Sequence, residues 1–82
     1  MPYIVYILQS AKDNRYYIGQ TTNLQQRIAK HNKCRVKSTK ARIPWKLIHY
    51  ETFASRKKAI RREHEIKARK SRAYIESMIT QK

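Results

Sequence analysis

Acidic residues are scarce in this 82-residue chain: five Asp and Glu stand against 20 Lys and Arg, for a formal net charge of +15. None lies between Asn14 and Tyr50. A charge this one-sided opposes folding through self-repulsion, and a polyanionic partner is the natural reason to carry it. Nucleic acid is the first candidate and an anionic membrane surface the second. The plain alternative is a basic protein with no such partner, but here the charge runs through most of the chain rather than a tail. Cysteine is almost absent: the single Cys34 excludes an internal disulfide, and no motif marks it as a nucleophile. One Gly and two Pro leave few loop or linker signals, so elements joined by short turns are expected. No stretch approaches the ~20 apolar residues of a membrane span. The apolar run Tyr3–Leu8 is too short for a signal peptide and lacks its flanks, so a cytoplasmic protein is expected. Zinc-spaced Cys and His pairs, a phosphate-cradling Gly-rich loop and a Ser/His/Asp set are also missing, which argues against a zinc finger or a P-loop enzyme.

What is present fits a single domain over residues 1–82. A chain this short buries only about 60–65% of its unfolded surface, so modest stability is expected. Tyr3-Ile4-Val5-Tyr6-Ile7-Leu8 is β-branched and aromatic without alternation, the pattern of a central strand covered on both faces. Ser10–Asn14 carries turn chemistry, and Arg15–Gln20 reads as the second strand of a hairpin. Gly19 inside it marks a bulge or a close approach by another group. Thr22 or Asn23 can cap a helix from about Leu24 to Asn32, with Leu24 and Ile28 on one stripe and Arg27 and His31 on the next. After the basic connector Lys33–Ile43 and Pro44, the alternation in Trp45–Glu51 predicts a half-buried edge strand. Ser55 can cap a helix over about Arg56–Arg69, with Ala59, Ile60, Ile66 and Ala68 on its apolar stripe, and Ala73–Thr80 reads as a last short helix. The expected fold is α+β: a small three-stranded antiparallel sheet flanked by helices, in the order ββα-βαα.

Five residues stand out chemically. If the hairpin aligns their faces, Tyr6 and Tyr17 bring two phenols to one pocket floor; a phenol of pKa ~10 needs nearby cations to act as a base. The alternative is a pair of core aromatics with hydrogen-bonded hydroxyls. The Arg27 guanidinium matches the spread charge of a phosphoryl transition state, or is simply a solvated surface group. His31, one turn further on, can pass a proton or hold a phosphate. Glu63, crowded by basic neighbours, stays ionised and can bind Mg²⁺ through oxygen; the alternative is an i,i+4 ion pair with Lys67.

In this order Ile4-Val5-Tyr6, Tyr17-Ile18-Gly19, Arg27, His31 and Glu63 resemble the GIY-YIG nuclease superfamily. That superfamily includes intron homing endonucleases and the N-terminal nuclease domain of the bacterial excinuclease C subunit. The likeness is nearer to small stand-alone bacterial GIY-YIG proteins, through Gln20-Thr21, His31-Asn32, Thr39–Pro44 and Arg62-Glu63…Ile66-Lys67, and it covers about Tyr3 to Ile79. The resemblance implies one-metal hydrolysis of a DNA strand. In that reading Tyr6 activates the attacking water, Tyr17 positions water or phosphate, and Arg27 stabilises the developing charge. His31 assists, and Glu63 holds Mg²⁺ or Mn²⁺. Two departures stand out: Ile4 occupies a place where many members carry Gly, and no Asn follows Glu63.

The leading expectation is therefore a Mg²⁺- or Mn²⁺-dependent DNA endonuclease of low or structure-directed specificity, of a repair or recombination type. Lys37, Lys40, Arg42, Lys46 and Lys67 would grip the phosphates. No small-molecule cofactor and no membrane are implied. The second expectation is a nucleic-acid-binding module with the same fold and little catalysis, using Trp45, Tyr50 and Phe53 to stack on bases. A basic protein for anionic surfaces ranks last, since no convincing amphipathic membrane helix is present.

Overall fold

A computed structural model describes residues 2–33, 42–69 and 72–80. Three strands, β1 (Tyr3–Ser10), β2 (Tyr16–Thr21) and β3 (Trp45–Phe53), form an antiparallel sheet in the order β2-β1-β3. Three helices complete the fold: α1 (Leu24–Asn32), α2 (Arg56–Arg69) and α3 (Arg72–Thr80). The expected ββα-βαα order and α+β class are found. Among the described residues no helix is long and apolar enough to cross a membrane.

β1 is central, and Val5, Tyr6, Ile7 and Leu8 are all buried, as its unbroken apolar run requires. Its odd positions Val5 and Ile7 pack with Ala59 and Ile66 of α2 and Ile75 of α3. Its even positions Tyr6 and Leu8 pack with Trp45, Tyr17, Leu24 and Ile28 on the α1 side. The sheet thus has two apolar layers, one beneath α2 and α3 and one beneath α1. The exposed Ala68 lies off the α2 stripe that the sequence assigned to it, because the buried face of α2 is set by Ala59 and Ile66.

Local chemistry sets the element ends. In the β1–β2 turn, Asn14 has φ 62°, a left-handed conformation that Asn tolerates better than most residues. The buried Ser10 hydroxyl accepts from the Lys12 and Asp13 amides and donates to the Arg42 carbonyl at 2.6 Å. Asn23 is the α1 cap, its Oδ1 accepting from the Gln26 amide at 3.1 Å. The Ser55 hydroxyl accepts from the Lys58 amide at the start of α2. In β3 the register slips by one residue: Ile7 pairs with His49 but Leu8 with Leu47, which leaves Ile48 as a bulge. The slip turns Trp45 and Leu47 toward α1, and Ile48 and Phe53 toward α2 and α3.

Candidate active site

Gly19 pairs with Tyr6 across the β1–β2 ladder, and Tyr17 pairs with Leu8. Period-2 alternation therefore puts Tyr6, Tyr17 and Gly19 on one face, under α1. A Cβ at Gly19 would lie 2.6 Å from the Tyr6 hydroxyl and 2.8 Å from its Cζ. The only glycine of the chain is thus the place where the Tyr6 phenol passes over its neighbouring strand.

The Tyr6 hydroxyl lies 3.1 Å from His31 Nε2, and both residues are almost wholly buried, at 2% and 1% exposure. His31 stands on the last turn of α1, so the helix presents it to the sheet rather than to solvent. Tyr17 completes an aromatic triad, its ring centroid 4.8 Å from His31, edge to face, and 6.3 Å from Tyr6, tilted. Trp45 backs Tyr17 at 6.2 Å, edge to face. Asn32, next to His31, fastens this end of α1 to β3: its Nδ2 donates to the Trp45 carbonyl at 3.1 Å and its Oδ1 accepts from the Trp45 amide at 2.6 Å. Sequence reasoning reads Asn32 as a helix end and as part of the His31-Asn32 pair of the family resemblance, with no structural role beyond that. Its distant partner on β3 leaves no local signal.

Burial raises the pKa of the Tyr6 phenol well above its ordinary value, helped by Tyr17 and the Glu63 carboxylate and opposed by Arg27. Burial and the Arg27 charge lower the pKa of His31. At neutral pH the pair is therefore a protonated phenol beside an uncharged imidazole. Arg27 lies half-buried on α1, and its charge acts on both groups. Its guanidinium opens onto a cleft of about 430 Å³, with Gln20, Thr21 and Thr22 at the end of β2 and Arg56 from α2. Among the described residues neither Arg27 nor Arg56 has an ion-pair or side-chain hydrogen-bond partner.

Glu63 belongs to α2, on the other layer, yet its charge reaches Tyr6. Its carboxylate, 14% exposed, accepts from Lys67 Nζ at 2.6 Å. Tyr6, Tyr17 and His31 thus touch directly, Arg27 and Glu63 act on them through their fields, and Lys67 is engaged with Glu63. Arg42 pairs with Asp13 at 3.0 Å, so an incoming phosphate competes with that carboxylate. Lys46 is exposed on β3. Lys37 and Lys40 lie outside the described residues.

The three-stranded antiparallel sheet in the order β2-β1-β3 with its three helices is the α+β fold that the sequence resemblance implies. Residues 2–75 match the family model described as the GIY-YIG catalytic domain, and the chain belongs to that family. It is 50% identical over 64 residues to a UPF0213 protein of Staphylococcus haemolyticus, covering 77% of each chain. It is also 43% identical over 76 residues to a UPF0213 protein of Natronomonas pharaonis, covering 92% of this chain and 87% of that one. Among solved structures it resembles a solution NMR structure of a UPF0213 protein from Bacillus halodurans. The TM-score is 0.63 at 37% identity, over 100% of this chain and 86% of the other. The small stand-alone GIY-YIG proteins that the sequence resembles are thus found among its relatives.

Proposed function

We propose that this protein is a divalent-metal-dependent endonuclease that hydrolyses phosphodiester bonds of DNA with low or structure-directed specificity. The observation that carries the reading is the buried Tyr6–His31 pair at 3.1 Å, set against the side-chain-free position of Gly19 and within the fields of Arg27 and Glu63.

With its pKa raised, Tyr6 is no phenolate at neutral pH and does not act as a base by itself. It can relay instead. The attacking water gives a proton to the Tyr6 oxygen as the Tyr6 proton passes to His31 Nε2, which uses the tautomer that leaves Nε2 bare. The products are a hydroxide equivalent at phosphorus, a neutral phenol and an imidazolium. Arg27 disfavours that imidazolium in the free protein. A bound phosphodiester offsets the guanidinium charge, so substrate itself makes His31 a better acceptor. Arg27 then faces the charge that develops on the phosphoryl oxygens. Tyr17 holds the imidazole edge and the position of the phenol.

Among the described residues no three His, Cys, Asp or Glu side chains cluster around a metal position. One carboxylate suits Mg²⁺ or Mn²⁺, which keep their waters and take oxygen from substrate phosphate, far better than zinc. Glu63 would hold the ion, after Lys67 gives way. When bound, the ion supplies positive charge opposite the reacting phosphate.

The test offers branched, gapped, single-stranded and duplex DNA, and RNA, with Mg²⁺ or Mn²⁺. Cleavage that EDTA stops is expected, and Glu63→Ala or Tyr6→Phe abolishes it while binding persists. Cleavage undiminished by Glu63→Ala sinks the assignment. A second reading, a binding module of this fold with little catalysis, is favoured by the Glu63–Lys67 ion pair, which occupies the one carboxylate among the described residues whose field reaches Tyr6. Binding without cleavage on every substrate selects it.

A further inference from the structure

A second cleft, of about 350 Å³, lies at the opposite end of β2. Its rim carries Arg15, Lys67 and Arg72, and its floor Tyr16 and Ile18; no carboxylate lines it. β2 is an edge strand, and α2 runs antiparallel to it. Arg56, at the start of α2, meets Gln20–Thr22, and Lys67, near its end, meets Arg15–Ile18. The two clefts therefore lie at the two ends of the open edge of the sheet, beside the two ends of α2. Glu63 stands on α2 between them, about two turns after Arg56 and about one before Lys67.

The second cleft is built for an anion. The Arg72 guanidinium is held in place, 4.9 Å over the Tyr16 ring, with Nη1 donating to the Asn14 carbonyl at 3.1 Å. A donor already fixed loses little freedom when a ligand arrives. Lys67 is paired with Glu63 at 2.6 Å, but the carboxylates that compete for the two arginines are weak: Arg72 meets Glu76, and Arg15 meets Asp13, both at 3.6 Å and solvent-accessible. A phosphate displaces such pairs readily, and the flat floor offers apolar contact to a sugar or base.

We propose that this Arg15–Lys67–Arg72 cleft is a second backbone-binding subsite, which holds the same nucleic-acid strand beyond the phosphodiester at Arg27 and Glu63. The inference rests on the nuclease reading for its ligand. From Arg56 to Lys67 the helix advances about 16 Å. That is the span of about five phosphates at ~3.4 Å each along one strand of a duplex. A strand long enough to reach both clefts therefore binds more tightly than one that fills only the first.

Isothermal titration in EDTA, with the full chain and no metal, separates binding from chemistry. Single strands of about three and about nine nucleotides bracket the span, given ~3.4 Å per phosphate. The nine-mer is expected to bind more tightly than the three-mer. The double variant Arg15→Ala/Arg72→Ala lowers nine-mer affinity about tenfold and leaves three-mer affinity unchanged. Its log K against log salt flattens by about 1.4 for two lost contacts on a single strand. The variant Lys57→Ala/Lys58→Ala, which removes equal charge from the exposed side of α2, has little effect on the length gain. If Arg72→Ala unfolds the protein, Arg15→Ala alone decides, with half the slope change. A length gain that survives in the Arg15 and Arg72 variants, or that falls equally in the lysine control, overturns the proposal. Absence of cleavage with the length gain intact sinks the nuclease reading and leaves the subsite; cleavage without the gain does the reverse.

Discussion

At Gly19 the constraint is steric. Alanine there would put a methyl carbon 2.6 Å from a hydroxyl that is itself pinned to His31. Gly19→Ala is expected to destabilise the fold by about 1–3 kcal/mol, the usual cost of overpacking, and to disturb the Tyr6–His31 bond. A thermal melt followed by circular dichroism measures the first effect and cleavage the second. His31 makes a pH prediction whose sign is fixed by its lowered pKa. The unfolded chain binds a proton near pH 6.5 and the folded one only at lower pH, so stability falls as pH drops through and below 6.5. Cleavage through the relay needs the neutral ring, so the His31-dependent acid limb of its pH profile is expected to have its midpoint below 6.5. A midpoint at or above 6.5 in kcat/KM, which reports the free protein, speaks against His31 as the proton acceptor. The roles of Gly19 and Tyr6 were legible in part, because a glycine inside a β-branched strand marks either a bulge or a close approach. The burial of His31 was not: it sits on the polar stripe of a helix, and only its contact with Tyr6 across the α1–sheet layer makes that position interior.

Among the elements, α1 packs on the sheet through Leu24 and Ile28, and the Asn32 side chain fastens its last turn to β3. Asn32→Ala removes two hydrogen bonds and strands the Trp45 amide and carbonyl in a part-buried setting. A loss of about 2 kcal/mol is expected, seen as a Tm fall of about 10 °C in a domain this small. Cleavage should fall further than stability does, because His31 and Arg27 ride on the same helix. On the other layer, Glu51 of β3 ties three elements together. Its carboxylate accepts from Arg62 of α2 and pairs with His49, and Arg62 in turn donates to Tyr74 of α3. Desolvation pushes the Glu51 carboxyl up, but the bonds from Arg62 and His49 prevail and hold it below its ordinary range. The elements themselves were readable, since capping residues and β-branched runs speak locally. The bulge at Ile48 was not, because an apolar pair, Leu47-Ile48, fits an alternating strand about as well as a register slip does.

For the molecule as a whole, charge decides behaviour. All five carboxylates are ion-paired: Asp13 with Arg15 and Arg42, Glu51 with His49 and Arg62, Glu63 with Lys67, Glu65 with Arg62, and Glu76 with Arg72. The remaining excess of +15 has no internal counterweight. Added salt is therefore expected to raise Tm, by screening self-repulsion, while it weakens nucleic-acid binding. If about five phosphates are engaged on a duplex, log K should fall against log salt with a slope of about −4 to −5. A flat response removes nucleic acid as the main partner. The position of Trp45 has a practical consequence. The chain's one indole is 5% exposed, backs Tyr17 and is pinned to α1 through Asn32. Its emission is thus an unlabelled optical gauge of the candidate site: a ligand that shifts α1 should change its wavelength or intensity, while one that settles only on the distant α2–α3 surface leaves the spectrum still.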